Sequence, residues 1–87
     1  MKVVNKKTHR PGHDDLYIGR PSKWGNPFTI GRDGSREDVV RKYAEWIVTQ
    51  PDLLRNLHEL RGRTLVCWCA PQMCHGHVLE ILCEELY

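Results

Sequence analysis

The sequence predicts an α/β domain: a short sheet of about three strands packed by about three helices. Three observations carry this. Short β-branched or aromatic runs stand near residues 3–4, 16–19 and 64–68. Apolar residues recur at helical spacing in the segments that follow the second and third runs. The resulting order, strand, strand, helix, helix, strand, helix, alternates as an α/β chain does.

The first strand is brief, with Val3 and Val4 set among polar residues. THRPGHDD, residues 8–15, is rich in turn formers. LYIG, residues 16–19, reads as the second strand. RPSKWGNPFTIGRDG, residues 20–34, holds two prolines and three glycines in fifteen residues and is predicted to be a loop. Loops beyond about 12–15 residues are uncommon in compact domains and are usually functional or disordered. Trp24 and Phe28 argue against disorder. Ser35 to Asp38 has the form of a capping box, and Val39, Val40, Tyr43, Ala44 and Ile47 follow on one helical face. Gln50-Pro51 is expected to end that helix, because proline disfavours α geometry in the preceding residue. Pro51 suits the first turn of a second helix, which carries Leu53, Leu54, Leu57 and Leu60 and stops at Gly62. Residues 64–68, TLVCW, make a strand that looks buried. A turn leads from Cys69 to Met73. The last helix starts at Cys74 or His75, with Val78, Leu79, Ile81, Leu82 and Leu86 apolar.

At 87 residues the chain is expected to be one domain, 1–87. Such a chain buries about 60–65% of its unfolded surface, so a staple such as a metal would help it. No run of 18 apolar residues is present, and no membrane partner is expected. MKVVNKKTHR lacks the apolar centre of a secretory leader, which points to the cytoplasm and to cysteines that are reduced or metal-bound. Net charge is +2 but uneven. Residues 1–36 hold eight Lys/Arg against three Asp/Glu, and residues 37–87 hold five against eight. This is either ordinary surface bias or a half that faces phosphate or nucleic acid, the latter only weakly supported by +2 overall.

CWCAPQMCHGH, residues 67–77, gathers three of the four cysteines and two of the five histidines. It lies at a strand–loop–helix joint, where α/β sheets bind ligands. Cys67 and Cys69, two apart in a strand, are expected on one side, with Trp68 on the other. Three chemistries are open. Cys67, Cys69, Cys74 and His75 supply a Cys3His set for zinc, although C-x-C-x4-C is not the common knuckle spacing. Cys74 at a helix start is a candidate nucleophile, its thiolate favoured by the helix dipole. Or the cysteines simply pack as small hydrophobes. The three sulfurs are expected to converge, with His75 the nearest imidazole and His77 pointing away. Cys83 reads as core.

The long loop offers Arg20, Ser22, Lys23 and Asn26 as ligand-binding donors and Trp24 as a stacking surface. Alternatively its aromatics cover one end of the core. Trp46 and Trp68 read as packing, and His9, His13 and His58 as surface.

YIGR (17–20), WGNPF (24–28), the helix opening SRED and LRGRTLVCWCAPQMCHGHVL (60–79) together resemble a small family of phages and bacteria, a domain of unknown function, with blocks YIGR…GNPF and CWC.P..CHG. The resemblance covers nearly the whole chain. The family carries aspartate after CHG where this chain has His77. The resemblance implies no reaction, cofactor or partner, and a phage-encoded member would act in the host cytoplasm. It does imply that the two blocks meet in one site. The expected function is a zinc-binding domain with a pocket for a polar or phosphorylated, nucleotide-like ligand. Two alternatives stand beside it. One is a cysteine-dependent enzyme acting on an anionic substrate. The other is a protein-interaction module, which would expose Trp24 and Phe28 together.

Overall fold

The computed structural model describes residues 2–68 and 72–86. Three strands, β1 (Lys2–Asn5), β2 (Asp15–Tyr17) and β3 (Thr64–Cys67), form one sheet in the order β1-β3-β2, and both pairings are parallel. Helices α1 (Arg36–Ile47), α2 (Pro51–Arg55) and α3 (His75–Leu86) and a 3-10 turn (Leu57–Leu60) complete an α/β fold of the expected kind.

Strand β3 aligns Leu65 with Val3 and Leu16, and Val66 with Val4 and Tyr17. Side chains alternate along a strand, so Val3, Leu65 and Leu16 share one face, with Cys67 further along it. Leu65 is fully buried and Val3 and Leu16 pack on the core, so this face carries the helices. The core joins it to Ile18, Trp24, Tyr43, Ile47, Leu57, Leu60 and Leu79.

Helix α1 begins where the capping box places it. The Asp38 amide donates to Ser35 Oγ at 3.3 Å, and the Ser35 amide donates to the Asp38 carboxylate at 3.0 Å. It closes at Ile47, before the predicted Gln50 boundary. The Val48 and Thr49 amides and the Thr49 hydroxyl all turn back to the Trp46 carbonyl, which tightens the last turn. The second predicted helix divides at Asn56. Leu57 and Leu60 are both fully buried, and a 3-10 turn aligns residues three apart on one side. Gly62, at φ +73°, makes the turn into β3, as expected of a helix-stopping glycine.

Strand β2 is shorter than the predicted 16–19 and shifted by one residue, and β3 ends at Cys67 rather than at residue 68. The Ile18 amide still donates to Val66 at 3.0 Å. Residues 20–34 contain no helix or strand. They are held instead by side chains: Tyr43 donates its hydroxyl to the Trp24 carbonyl at 2.7 Å, and Asn26 donates to the Val39 carbonyl at 3.1 Å while accepting from the Phe28 amide. No helix among the described residues is long and apolar enough to cross a membrane.

Candidate functional site

Parallel strands present their carboxyl ends at one edge, the usual ligand edge of α/β sheets. A cleft of about 230 Å³ opens there. Gly19 and Arg20 line it from the end of β2. Asn26, Phe28, Thr29 and Ile30 enter from the long loop, and Arg36, Val39 and Val40 from the start of α1. Cys67, Trp68, Met73, Cys74 and His75 enter from the β3–α3 joint. The two sequence blocks therefore meet across one cleft.

Among the described residues the lining carries two arginines and no carboxylate. Arg20 donates to Thr29 Oγ1 at 3.2 Å. Arg36, the first residue of α1, has its Nη1 buried with no hydrogen-bond partner. Leaving a buried donor unsatisfied costs about 1–3 kcal/mol, more when it is charged.

The thiols form the inner wall. Cys67 and Cys74 are both buried, with their sulfurs 3.2 Å apart. Cys74 stands immediately before α3. Its own amide donates to His77 Nδ1 at 3.0 Å, the His77 amide donates to the Cys74 carbonyl at 3.0 Å, and the nearby amides of Gly76 and His77 favour the thiolate. The imidazole thereby takes the N3 side-chain role of a capping box. His77 is thus turned back onto the helix start, not away from it as expected. The hydrogen bond with Cys67, burial and the charge of Cys67 together push the Cys74 thiol up, against the lowering effect of those two amides. Two thiolates at this separation repel, so the metal-free pair keeps a proton and Cys74 is a poor nucleophile in that state.

His75 is buried, and its Nε2–H donates to the Ile18 carbonyl at 2.7 Å. A carbonyl only accepts, so the proton sits on Nε2 and only Nδ1 keeps a lone pair. Burial holds this imidazole below its ordinary pKa, the Ile18 hydrogen bond opposes that, and the Arg20 charge lowers it again. Its ring meets Tyr43 edge-on at 5.0 Å.

Of the predicted donors, Cys67, Cys74 and His75 come together at one joint, while Cys69 lies outside the described residues. Among the described residues no group of three or more His, Cys, Asp or Glu is arranged to hold a metal. Of the predicted ligand-binding residues, Arg20 and Asn26 line the cleft and three do not. Lys23 pairs with Glu59 at 2.8 Å and lies over the Trp24 ring. Trp24 is only 2% exposed and belongs to the core, the alternative placement considered for the loop's aromatics. Ser22 Oγ is buried without a partner and does not line the cleft. Cys83 is core, as predicted.

Several lining residues were not assigned to the site from the sequence, and Trp68 and Arg36 are the two with polar or aromatic chemistry to offer. Trp68 is 53% exposed, not packed inside, because it faces away from the buried Cys67 side. Its alternation with Cys67 was the available signal. Arg36 hid inside the capping box, where the first helical residue reads as solvent-facing.

Fold and site together define a small α/β domain with an arginine-lined, thiol-walled cleft at the carboxyl edge of a parallel sheet. The chain belongs to the family described as "Domain of unknown function (DUF4326)", whose model matches residues 2–85. It is 41% identical over 97 residues to "Uncharacterized protein R718" of Acanthamoeba polyphaga mimivirus, covering 91% of this chain and 74% of that protein. It is 33% identical over 95 residues to the "Uncharacterized 12.4 kDa protein in nrdA-td intergenic region" of Enterobacteria phage T4, covering 99% of this chain and 80% of that protein. No solved structure matches.

Proposed function

We propose that the domain binds a small phosphorylated, nucleotide-like ligand in this cleft. The observation that carries the reading is the pair of arginines in the cleft lining, Arg20 and Arg36, with no carboxylate among the described lining residues and with Arg36 Nη1 buried without a hydrogen-bond partner. A phosphate in the cleft meets two guanidinium charges, and Arg36 Nη1 gains its missing acceptor once the side chain turns its fork toward that phosphate. Phe28 and the exposed ring of Trp68 supply apolar and aromatic surface for a base. At about 230 Å³ the cleft suits a mononucleotide better than a dinucleotide, since ligand pockets commonly run from about 300 to 1,000 Å³.

The test is thermal stability with inorganic phosphate and with mononucleotides. Saturation to about 100 times Kd adds about 2.7 kcal/mol to the folded state. Arg36→Ala should weaken binding about 10–150-fold, the worth of a charged hydrogen bond of about 1.5–3 kcal/mol. Absence of any shift with every phosphate compound refutes the reading, as does an Arg36→Ala variant that binds as tightly as the parent.

A second reading, zinc held by the thiols, is favoured by the Cys67–Cys74 separation of 3.2 Å. Zinc–sulfur bonds of about 2.3 Å in a tetrahedron set two sulfurs about 3.8 Å apart, a small adjustment from there. Cys69 is the third donor in this reading, and His75 contributes only through Nδ1. Protein purified without chelator should then carry about one zinc per chain. Metal-free folded protein whose four cysteines all titrate as free thiols refutes it.

A further inference from the structure

We infer that the occupant of the cleft is one nucleotide of a single-stranded nucleic acid, whose neighbouring phosphates run along Lys6 and Lys7. The inference rests on the cleft reading and extends it past the cleft mouth.

The argument starts from the parallel sheet. All three strands deliver their carboxyl ends to one edge, so the residues that follow β1 arrive beside those that follow β3. The Lys6 amide donates to the Cys67 carbonyl at 2.7 Å. Asn5 Nδ2 donates to the Trp68 carbonyl at 3.0 Å, and Asn5 Oδ1 accepts from the Lys7 amide at 2.8 Å. Asn5 thereby fixes the two exposed lysines against the strand end that carries Trp68. Lys6 Nζ lies 5.5 Å from the Tyr17 ring centroid and 6.0 Å from that of Trp68. Trp68 Nε1 donates to the Tyr17 hydroxyl at 3.0 Å, and that hydroxyl donates to the Arg20 carbonyl at 3.0 Å. A continuous chain of contacts therefore runs from the lysines through two aromatics to an arginine of the cleft wall.

Charge is complementary along this path. Residues 1–13 contain four Lys/Arg and no Asp or Glu. Cations interleaved with aromatic rings, here the exposed Trp68 and the half-buried Tyr17, are the physical means by which unpaired strands are held without sequence preference. A duplex is the wrong shape: its bases are stacked away from Trp68, and the cleft has room for about one nucleotide. A free mononucleotide would gain nothing from Lys6 and Lys7, which lie outside the cleft lining.

The test is fluorescence anisotropy with labelled oligothymidylate of about ten nucleotides, within the span one small domain covers. Thymidine monophosphate binding is measured in parallel by calorimetry. The oligonucleotide should bind at least tenfold tighter than the mononucleotide, and tighter than a duplex of equal length. The double variant Lys6→Ala/Lys7→Ala should lower the slope of log K against log salt by about 1.4, at about 0.7 per lost phosphate contact. Lys7→Ala alone, whose side chain touches neither aromatic ring, should lower the slope by about 0.7 and leave mononucleotide affinity unchanged. Both lysines are exposed, so the variant folds. Arg36→Ala should weaken both ligands. Mononucleotide binding with no gain from the oligonucleotide, or an unchanged salt slope in the lysine variant, overturns this inference and spares the cleft. Equal binding of duplex overturns the single-strand assignment. Oligonucleotide binding without mononucleotide binding overturns it too, since continuity with the cleft is its content. No binding of either ligand overturns the cleft reading itself.

Discussion

Gly76, the second residue of α3, is the point at which that helix rests on the sheet. A Cβ at this position would lie 2.8 Å from Ile18 Cδ1 and 2.9 Å from Val3 Cγ1. Carbon pairs prefer about 3.5–4.0 Å, so Gly76→Ala forces an overlap of roughly half an ångström or more on both. The Ile18 methyl is the tip of a flexible side chain, but Ile18 is fully buried and has nowhere to swing. Val3 is short and β-branched on a strand, and yields less. Overpacking of this kind costs about 1–3 kcal/mol. Replacing glycine by alanine within a helix returns about 0.5–1 kcal/mol. The net is a loss of about 0–2.5 kcal/mol, centred on about 1.3 kcal/mol. For a domain of this size each kcal/mol moves Tm by about 4–8 °C, so the variant at the centre of that range should melt about 5–10 °C lower by circular dichroism. Gly62→Ala is the control. It has open space around it but a φ of +73°, and loses about 1–2 kcal/mol from backbone strain alone. If Gly76→Ala melts at or above the parent temperature, the close seating of α3 on β1 and β2 is wrong, and with it the placement of Cys74 and His75.

Tyr43→Phe removes the hydroxyl that satisfies the buried Trp24 carbonyl, and should cost about 1–3 kcal/mol in urea unfolding with an unchanged m-value. A loss within error would mean that the long loop is anchored elsewhere. Asp15 accepts from the Gly12 amide and from His9, and both hold its carboxyl below the usual range. Its folded pKa lies below its unfolded value, so the stabilisation is complete above about pH 4 and is lost as pH falls through the folded value. Parent and Asp15→Asn melting temperatures should therefore differ at neutral pH and converge only as pH falls through the lowered folded pKa of Asp15, below the ordinary carboxylate range. A gap that stays constant to low pH contradicts the assignment.

Local signals were the legible ones. The capping box at Ser35, the apolar face of α1, the glycine stop at Gly62 and the apolar character of β3 depend on neighbours in sequence, and each stands where it was expected. Boundaries set by tertiary packing were not legible. Nothing local shows that Leu57 and Leu60 would be drawn into one buried 3-10 turn, or that the Trp46 carbonyl would gather the end of α1. The site divided in the same way. Cysteines crowded into one joint announced themselves, whereas the loop residues Lys23 and Trp24 looked like ligand groups because their partners, Glu59 and the core, lie far along the chain. Arg36 ran the other way: its importance comes from what it lacks, and a missing partner leaves no mark in a sequence.

The order β1-β3-β2 also bears on how the molecule comes into being. The central strand is the last of the three to be synthesised, and β1 and β2 share no ladder with each other. A nascent chain halted before residue 64 has two short edge segments with no template between them, and at best an isolated α1. Short helices of that length are marginal in water without tertiary support. The sheet, the helix platform and both walls of the cleft therefore depend on residues 64–67, which pair with two segments that have no ladder of their own. A truncated translation product would be an unfolded chain for proteolysis, not a weakened version of the domain.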